Sequence, residues 1–178
     1  VTGVQTCALP IWRLVRPMRL AAATLALLCL AFAGCQKNTK KVIAAVQKWE
    51  KALDKKDKDY EHHRLEALWV HQWHNAVDEA LLKDVLKSPD HRARAAATRV
   101  LCYWRDRVKA PLDLLKVQAA DSHPRVRLEA IRACSFFTTS AAAEVALSAI
   151  EKEKDPNKPD YYIKYCLDET MKQLGKFK

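Results

Sequence analysis

Arg125-Val126-Arg127-Leu128-Glu129-Ala130-Ile131-Arg132-Ala133-Cys134 decides the fold of this chain. The same pattern occurs 33 residues earlier as Arg92-Ala93-Arg94-Ala95-Ala96-Ala97-Thr98-Arg99-Val100-Leu101. Arg92, Arg94 and Arg99 align with Arg125, Arg127 and Arg132. Ala93, Ala97, Val100, Leu101 and Trp104 align with Val126, Ala130, Ala133, Cys134 and Phe137. Apolar residues recur at i, i+4, i+7, i+8 and i+11 in both copies, which is one face of an α-helix. A 33-residue period is the length of a helix pair. The spacing therefore predicts an all-α repeat stack in which each pair buries its face on the next.

Moving outward, Ser88-Pro89 reads as the start of the earlier helix, with Ser as N-cap and Pro at the first helical position. That helix is expected to run to about Val108. Pro111 opens its partner, with Leu112, Leu114, Leu115 and Val117 as the apolar side. Asp121-Ser122-His123-Pro124 restarts the cycle, its helix ends near Phe137, and Ser140 can cap the next. Upstream, Leu81-Leu82-Lys83 matches Leu114-Leu115-Lys116, again 33 residues on. Arg64-Leu65-Glu66-Ala67 echoes Arg127-Leu128-Glu129-Ala130, so a helix from Asp59 to about Ala76 opens the first recognisable repeat. Leu65, Leu68, Trp69, Gln72, Trp73 and Ala76 are its expected inner arc. Asn38 to Asp54 is a further helix with Val42, Ile43, Val46, Trp49 and Leu53 in its stripe. Asp155 to Asp160 is a loop, and Tyr161 to Leu174 is the last helix, with Gly175 as its stop signal. The expectation is an all-α, solenoid-like domain of about three to four helix pairs over residues 37–178.

Composition agrees. The 178 residues are 29% charged and 49% apolar, with only three glycines. That balance fits a folded chain and argues against an all-β protein or a Gly-rich nucleotide-binding fold.

The N-terminus reads differently. Residues 1–11 resemble the in-frame translation of a sequencing adapter, which implies that residues 1–17 are artefact or untranslated and that translation starts at Met18. From there Arg19, the apolar run Leu20 to Ala33 and Phe32-Ala33-Gly34-Cys35 form an export-signal pattern over residues 18–35. The run is shorter than the roughly 20 residues that span a bilayer. Phe32-Ala33-Gly34-Cys35 resembles a bacterial lipobox, with Phe32 where Leu is usual. That implies lipidation of Cys35 and a membrane anchor there. A plain signal peptide or a short buried helix is the alternative. Removing residues 1–34 takes away Arg13, Arg16 and Arg19 and no acid, lowering the formal charge from +10 to about +7. The basic face of the first helix is a solvated face or a membrane-surface contact beside the anchor.

Cys102, Cys134 and Cys166 remain, spaced by 32 and 32 residues. Their spacing follows the repeat, so each is expected to be a buried thiol. The odd count and the absence of CxxC or CxxCH oppose a disulfide or haem-attachment reading.

The units resemble HEAT-like repeats, most clearly in Asp121-Ser122-His123-Pro124-Arg125-Val126-Arg127-Leu128-Glu129-Ala130. Residues 60–75, Tyr60-Glu61-His62-His63-Arg64-Leu65-Glu66-Ala67-Leu68-Trp69-Val70-His71-Gln72-Trp73-His74-Asn75, and residues 95–108 resemble the helical-repeat region of PVC-type haem-binding membrane-bound dehydrogenases. In that family a β-propeller usually precedes this region and a CxxCH cytochrome module follows it. The sequence holds neither, so no catalytic or haem-binding residue carries over. The resemblance implies a place beside an exported dehydrogenase or c-type cytochrome.

Four constellations stand out. His62, His63, His71 and His74 share the second helix. His63 and His74 lie within about 20° of each other and His71 about 60° away, off the Leu65–Trp69–Trp73 arc. His63, His71 and His74 are thus weak metal candidates, with no fourth ligand in register. A polar helix face is the plainer reading. Arg92, Arg94, Arg99, Arg125, Arg127 and Arg132 form either a basic ladder for phosphates or a set of structural pairs with turn acids such as Asp90 and Asp121. Recurrence with the repeat favours the second, and export argues against nucleic acid. Trp49, Trp69, Trp73 and Trp104 sit on apolar stripes and are expected in the core. Glu66 and Glu129 occupy equivalent repeat positions and read as structural rather than as an acid/base pair.

No Ser-His-Asp order or phosphate-cradling Gly loop appears, and no cofactor is implied by the residues. The sequence points to a non-catalytic scaffold, exported and lipid-anchored. It would present a concave helical surface to another exported protein, plausibly acidic. The alternative is a detached piece of a haem-dependent oxidoreductase.

Overall fold

A computed structural model of the chain describes residues 38–153, 155 and 160–175. Expectations for residues 1–35, including the lipidation at Cys35, lie outside the described residues. Every regular element described is helical. In chain order, α1 covers residues 38–51. It is followed by α2 (Tyr60–Trp73), α3 (Glu79–Val85), α4 (His91–Trp104), α5 (Pro111–Ala119), α6 (Pro124–Cys134), α7 (Ser140–Ser148) and α8 (Tyr161–Leu174). A short 3-10 turn, Ile150–Lys152, follows α7.

The helices fall into two layers. The even-numbered helices pack in sequence, α2 on α4, α4 on α6 and α6 on α8, while α5 packs on α7 and on α6. The repeat dictates this. Each even helix turns Ala93–Ala97–Val100–Leu101 or its counterpart inward, and each odd helix is too short to bury its apolar side alone. Leu68, Leu82, Leu101, Trp104, Leu115, Ile131 and Ile163 are fully buried between the layers. Each contributes about 1.5–3 kcal/mol of apolar burial.

Turn chemistry sets the boundaries. Asp78 caps α3 by accepting from Leu81 N at 3.0 Å. Asp160 caps α8, accepting from Tyr162 N at 2.9 Å. Pro111 occupies the first turn of α5 after Ala110, which sits in the left-handed region at φ 48°.

Several expectations are corrected. Asp90, not Ser88, caps α4, its carboxylate accepting from Arg92 N at 2.8 Å. Ser88 instead closes the turn before it, with Oγ accepting from Asp90 N at 3.1 Å. An Asp in extended backbone one residue before the helix outcompetes a Ser two residues further back. The helix ends at Trp104 rather than Val108, α6 ends at Cys134, and Thr139 precedes α7 as its N-cap without a side-chain bond.

On α2 the inner face is Leu65, Ala67, Leu68 and His71, not the arc through Trp69 and Trp73. Trp69 is 44% exposed, Trp73 87% and Trp49 41%, whereas Trp104 is buried as expected. The expected and observed arcs share Leu65 and Leu68 and diverge beyond them. Trp69 and Trp73 follow Leu65 at i+4 and i+8, and the α4 contact selects i+3 and i+6. The larger side chains were left outside because α4 offers small residues, Ala93 and Ala97, against which Leu65 and Leu68 close.

A candidate binding face on the even helices

Arg94 reaches out of the first turn of α4 and forms a fork with the next turn: Nε donates to Asp121 Oδ2 at 2.7 Å and Nη2 to Oδ1 at 2.9 Å. Its Nη1 donates to the carbonyls of Ser88 and Pro89 at 2.8 and 3.1 Å. Arg127, its counterpart on α6, repeats the arrangement with the carbonyls of Asp121 and Ser122 and the carboxylate of Glu153. Burial alone would raise the Asp121 carboxyl. The Arg94 fork and the His123 N–H outweigh it and hold it below the usual range. The same fork, against the cost of burial, raises Arg94. These two arginines are seam fasteners.

Arg99, Arg125 and Arg132 do something else. All three converge on Glu129, which is 2% exposed. Arg99 Nε donates to Oε2 at 3.3 Å, and its Nη2 closes on Oε1. Arg132 Nε donates to Oε2 at 3.2 Å, and Arg125 Nη2 stands 3.5 Å from Oε1. Burial would raise this carboxyl too, but the Arg99 hydrogen bond and the neighbouring positive charges hold it low. Three guanidinium groups around one carboxylate leave the face strongly basic. Arg92 adds to the excess. It is exposed, its backbone N–H is bonded to Asp90, and among the described residues its guanidinium has no hydrogen-bond or ion-pair partner. Of the six recurring arginines, Arg94 and Arg127 are withdrawn into the turns, Arg99 closes the α4–α6 seam on Glu129 while its side chain stays half exposed, and Arg92, Arg125 and Arg132 stand beside it.

The even helices and the turn after α6 also carry exposed aromatics, Trp69, Trp73, Tyr103, Phe136, Tyr162 and Tyr165. Arg105 and Arg132 lie over the Phe136 ring, 5.5 and 5.9 Å from its centroid. Four hollows open here, each lined by even helices and the turns leading into them. One, of about 260 Å³, has Ala95, Ala96 and Val100 as floor, Trp69 and Gln72 as wall, and Arg92, Arg99 and Arg125 at the rim. It shares Arg92 with the hollow between the starts of α2 and α4, and Arg125 with the one beneath Tyr162. The latter meets a further hollow along α8 at Leu128 and Tyr162. The four follow one another along the even row as a segmented furrow, neighbours sharing lining residues.

The histidines do not assemble. His71 is buried at 2%, with Nδ1 donating to Ala76 O at 3.0 Å, which ties the end of α2 to the following turn. His62 pairs with Glu66 at 3.2 Å, and the His63 ring meets Trp49 edge-on at 5.9 Å. His74 is the C-cap of α2. Among the described residues no group of three or more His, Cys, Asp or Glu could hold a metal. The expectation that His71 lies off the core arc is thus corrected. Sequence reasoning missed a different pair: His91 and His123 stack at 3.6 Å with 14° between ring planes. His123 Nδ1 accepts from Arg125 N at 3.2 Å as the cap of α6. Burial and the charge of His91 lower its pKa. Their matching places just before or at the start of successive even helices were the available signal.

Cys102 and Cys134 are buried, Cys166 is half-buried, and all three are free thiols. Burial pushes Cys134 up to about 12 and raises the other two. They belong to the core rather than to the face. Glu66, the counterpart of Glu129, is 47% exposed at its side chain.

A model of HEAT repeats matches residues 79–157, from the start of α3 through α7. Comparison with curated proteins and with solved structures gave no match. With its paired helices in two layers, the unit is a HEAT-like α-solenoid, a helical-repeat scaffold of a kind often used for protein interaction.

Proposed function

We propose that the chain is a non-catalytic docking scaffold that holds another protein on its even-helix face, and that it does so in the cell envelope beside an exported redox enzyme or cytochrome. The observation that carries the docking role is the furrow. Solenoids bind along one row of successive helices, and here the hollows, the arginines Arg92, Arg99, Arg125 and Arg132, and the exposed aromatics other than Trp49 on α1 fall on the even row among the described residues. Tyr, Trp and Arg are the residues that dominate protein interfaces. The envelope location is supported by the export pattern in residues 18–35, and the redox partner by the resemblance to the dehydrogenase repeat region. Among the described residues no helix is long and apolar enough to cross a membrane. A lipid at Cys35 would supply the attachment.

The test is site-specific photo-cross-linking in the native exported fraction. A cross-linker at Tyr103, exposed on α4, is expected to capture a discrete partner, identified by mass spectrometry as a redox protein. One at Val117, exposed on α5, is expected to capture none. Capture from Val117 alone, or from neither position, refutes the docking reading. A captured protein with no redox centre refutes the finer assignment only.

A further inference from the structure

We infer that the 260 Å³ cleft between α2 and α4 seats an acidic, extended peptide segment of a partner protein. One carboxylate would rest on Arg92 and Arg125, and one apolar side chain would lie over Ala95 and Ala96 against Trp69. This rests on the even-helix face being the docking surface and names what docks there.

The cleft exists because of two departures from the repeat. Matching the arginines Arg64, Arg94 and Arg127 aligns Glu66, Ala96 and Glu129, and likewise Trp69, Arg99 and Arg132. Between α4 and α6, Arg99 from one helix meets Glu129 from the other and fills the seam. Between α2 and α4 the same two positions hold Trp69 and Ala96. A methyl group faces an indole where an ion pair would stand, so the seam is left open and lined by small apolar atoms. The space matches one large side chain rather than a cofactor, which takes roughly 300–1,000 Å³.

Charge then selects the occupant. Glu129 at the edge of the cleft is already satisfied by Arg99 and Arg132. Arg125 touches it only at 3.5 Å, and the Arg92 guanidinium, among the described residues, makes no side-chain bond. The two guanidinium groups at the rim are thus available for a carboxylate, which they recognise with paired N–H donors. A phosphate backbone would need cations at regular steps along a track. Here Arg94 and Arg127 are withdrawn into the seams, and a buried carboxylate stands next to the rim. The furrow beyond the cleft, with Tyr162 and Tyr165 along it, gives the rest of an extended segment an aromatic surface.

The experiment pans a random peptide display library against the full chain, then measures enriched peptides, synthesised with a fluorescent label, by anisotropy. Enrichment of Asp or Glu flanking a Leu, Phe or Trp is expected, with binding weakened by salt. R92E and W69A are each expected to weaken it roughly tenfold. R92K should retain part of it and R92Q less, which separates charge and paired-donor recognition from misfolding. Circular dichroism melts check that each variant is folded. Peptides that bind R92E and W69A as well as the unaltered protein overturn the cleft. The docking reading then survives if Tyr103 cross-linking still yields its partner. Enrichment without acidic residues overturns the inference. So does stronger, R92E-sensitive binding of an oligothymidylate or of phosphatidylglycerol vesicles, which would assign the rim to phosphate.

Discussion

The seam between α4 and α6 and the seam between α2 and α4 are built from corresponding positions and end in opposite states. In the first, Arg94 forks onto Asp121 and Arg99 onto the buried Glu129. In the second, Arg64 stands 3.7 Å from Glu61 on its own helix and 3.5 Å from Asp84, whose side chain is 69% exposed. Trp69 faces Ala96 across the opening. A repeat protein thus obtains a closed joint and an open cleft from one template by changing a pair of residues. The closed joint contributes cohesion and the open one a place for a ligand.

The largest way to break the comparison is Glu129→Ala. It leaves Arg99 and Arg132 without their shared acceptor, and breaking a buried pair costs about 3–5 kcal/mol. Because Arg99 is 49% exposed at its side chain, solvent recovers part of that. The expected loss is about 2–3 kcal/mol by urea unfolding. Glu66→Ala, at the equivalent exposed position, should stay within about 0.5 kcal/mol. Equal losses would show that the two positions are not distinguished by burial.

Acid tests the same joint without mutation. The Glu129 and Asp121 carboxyls are held below their ordinary values of 4.5 and 3.8. The unfolded chain therefore binds protons first as pH falls. The stability the two groups contribute is complete above about pH 4.5 and is lost as pH drops through their folded values. E129Q with D121N should flatten the acid limb of a stability–pH curve.

A smaller effect would sharpen the comparison by construction. Trp69→Arg with Ala96→Glu places the α4–α6 ion pair into the α2–α4 seam. A double-mutant cycle should return a favourable coupling of about 0.5–1 kcal/mol. No coupling would mean that the positions are not true counterparts.

The least disturbing probe is thiol labelling. Cys102 on α4 and Cys134 on α6 are buried beside the closed joint and have raised pKa values, so little thiolate forms. Half-buried Cys166 should react first with Ellman's reagent at pH 8, and Cys134 only on global unfolding. Early reaction of Cys134 would show that the joint opens locally.

Much of this was legible in the sequence. The 33-residue recurrence identified the helix pairs and their order, and the recurrence of Arg94 and Arg127 pointed to turn acids, of which Asp121 is one. What escaped was decided between helices. Periodicity places Trp69 and His71 only 160° apart on α2 and says nothing of which side α4 covers. A hydrophobic ranking favours the tryptophans, while packing against Ala93 and Ala97 favours Leu65, Leu68 and His71. Likewise, Glu129 read as structural, but that three arginines converge on it depends on the distance between α4 and α6. The cleft was the least legible of all, since it consists of what Ala96 lacks.

Asp121 carries one consequence further. Its side chain is held by Arg94 from the preceding repeat, while its carbonyl is held by Arg127 from its own. Arg127 in turn grips Glu153. Turn, arginine and turn are linked like overlapping roof tiles, each pinned by the one laid before it. Lifting the Asp121 turn loosens a tile on both sides, so α4 to α7 should come apart as one cooperative block. Ahead of α4 the arginine overlap is missing, and the preceding repeat is tied on by Arg107 to Asn75 and Gln118 to the Leu86 carbonyl, so α1 to α3 should open at lower free energy than the block that follows. A native-state exchange experiment would see two tiers of protection in a chain whose helices look alike.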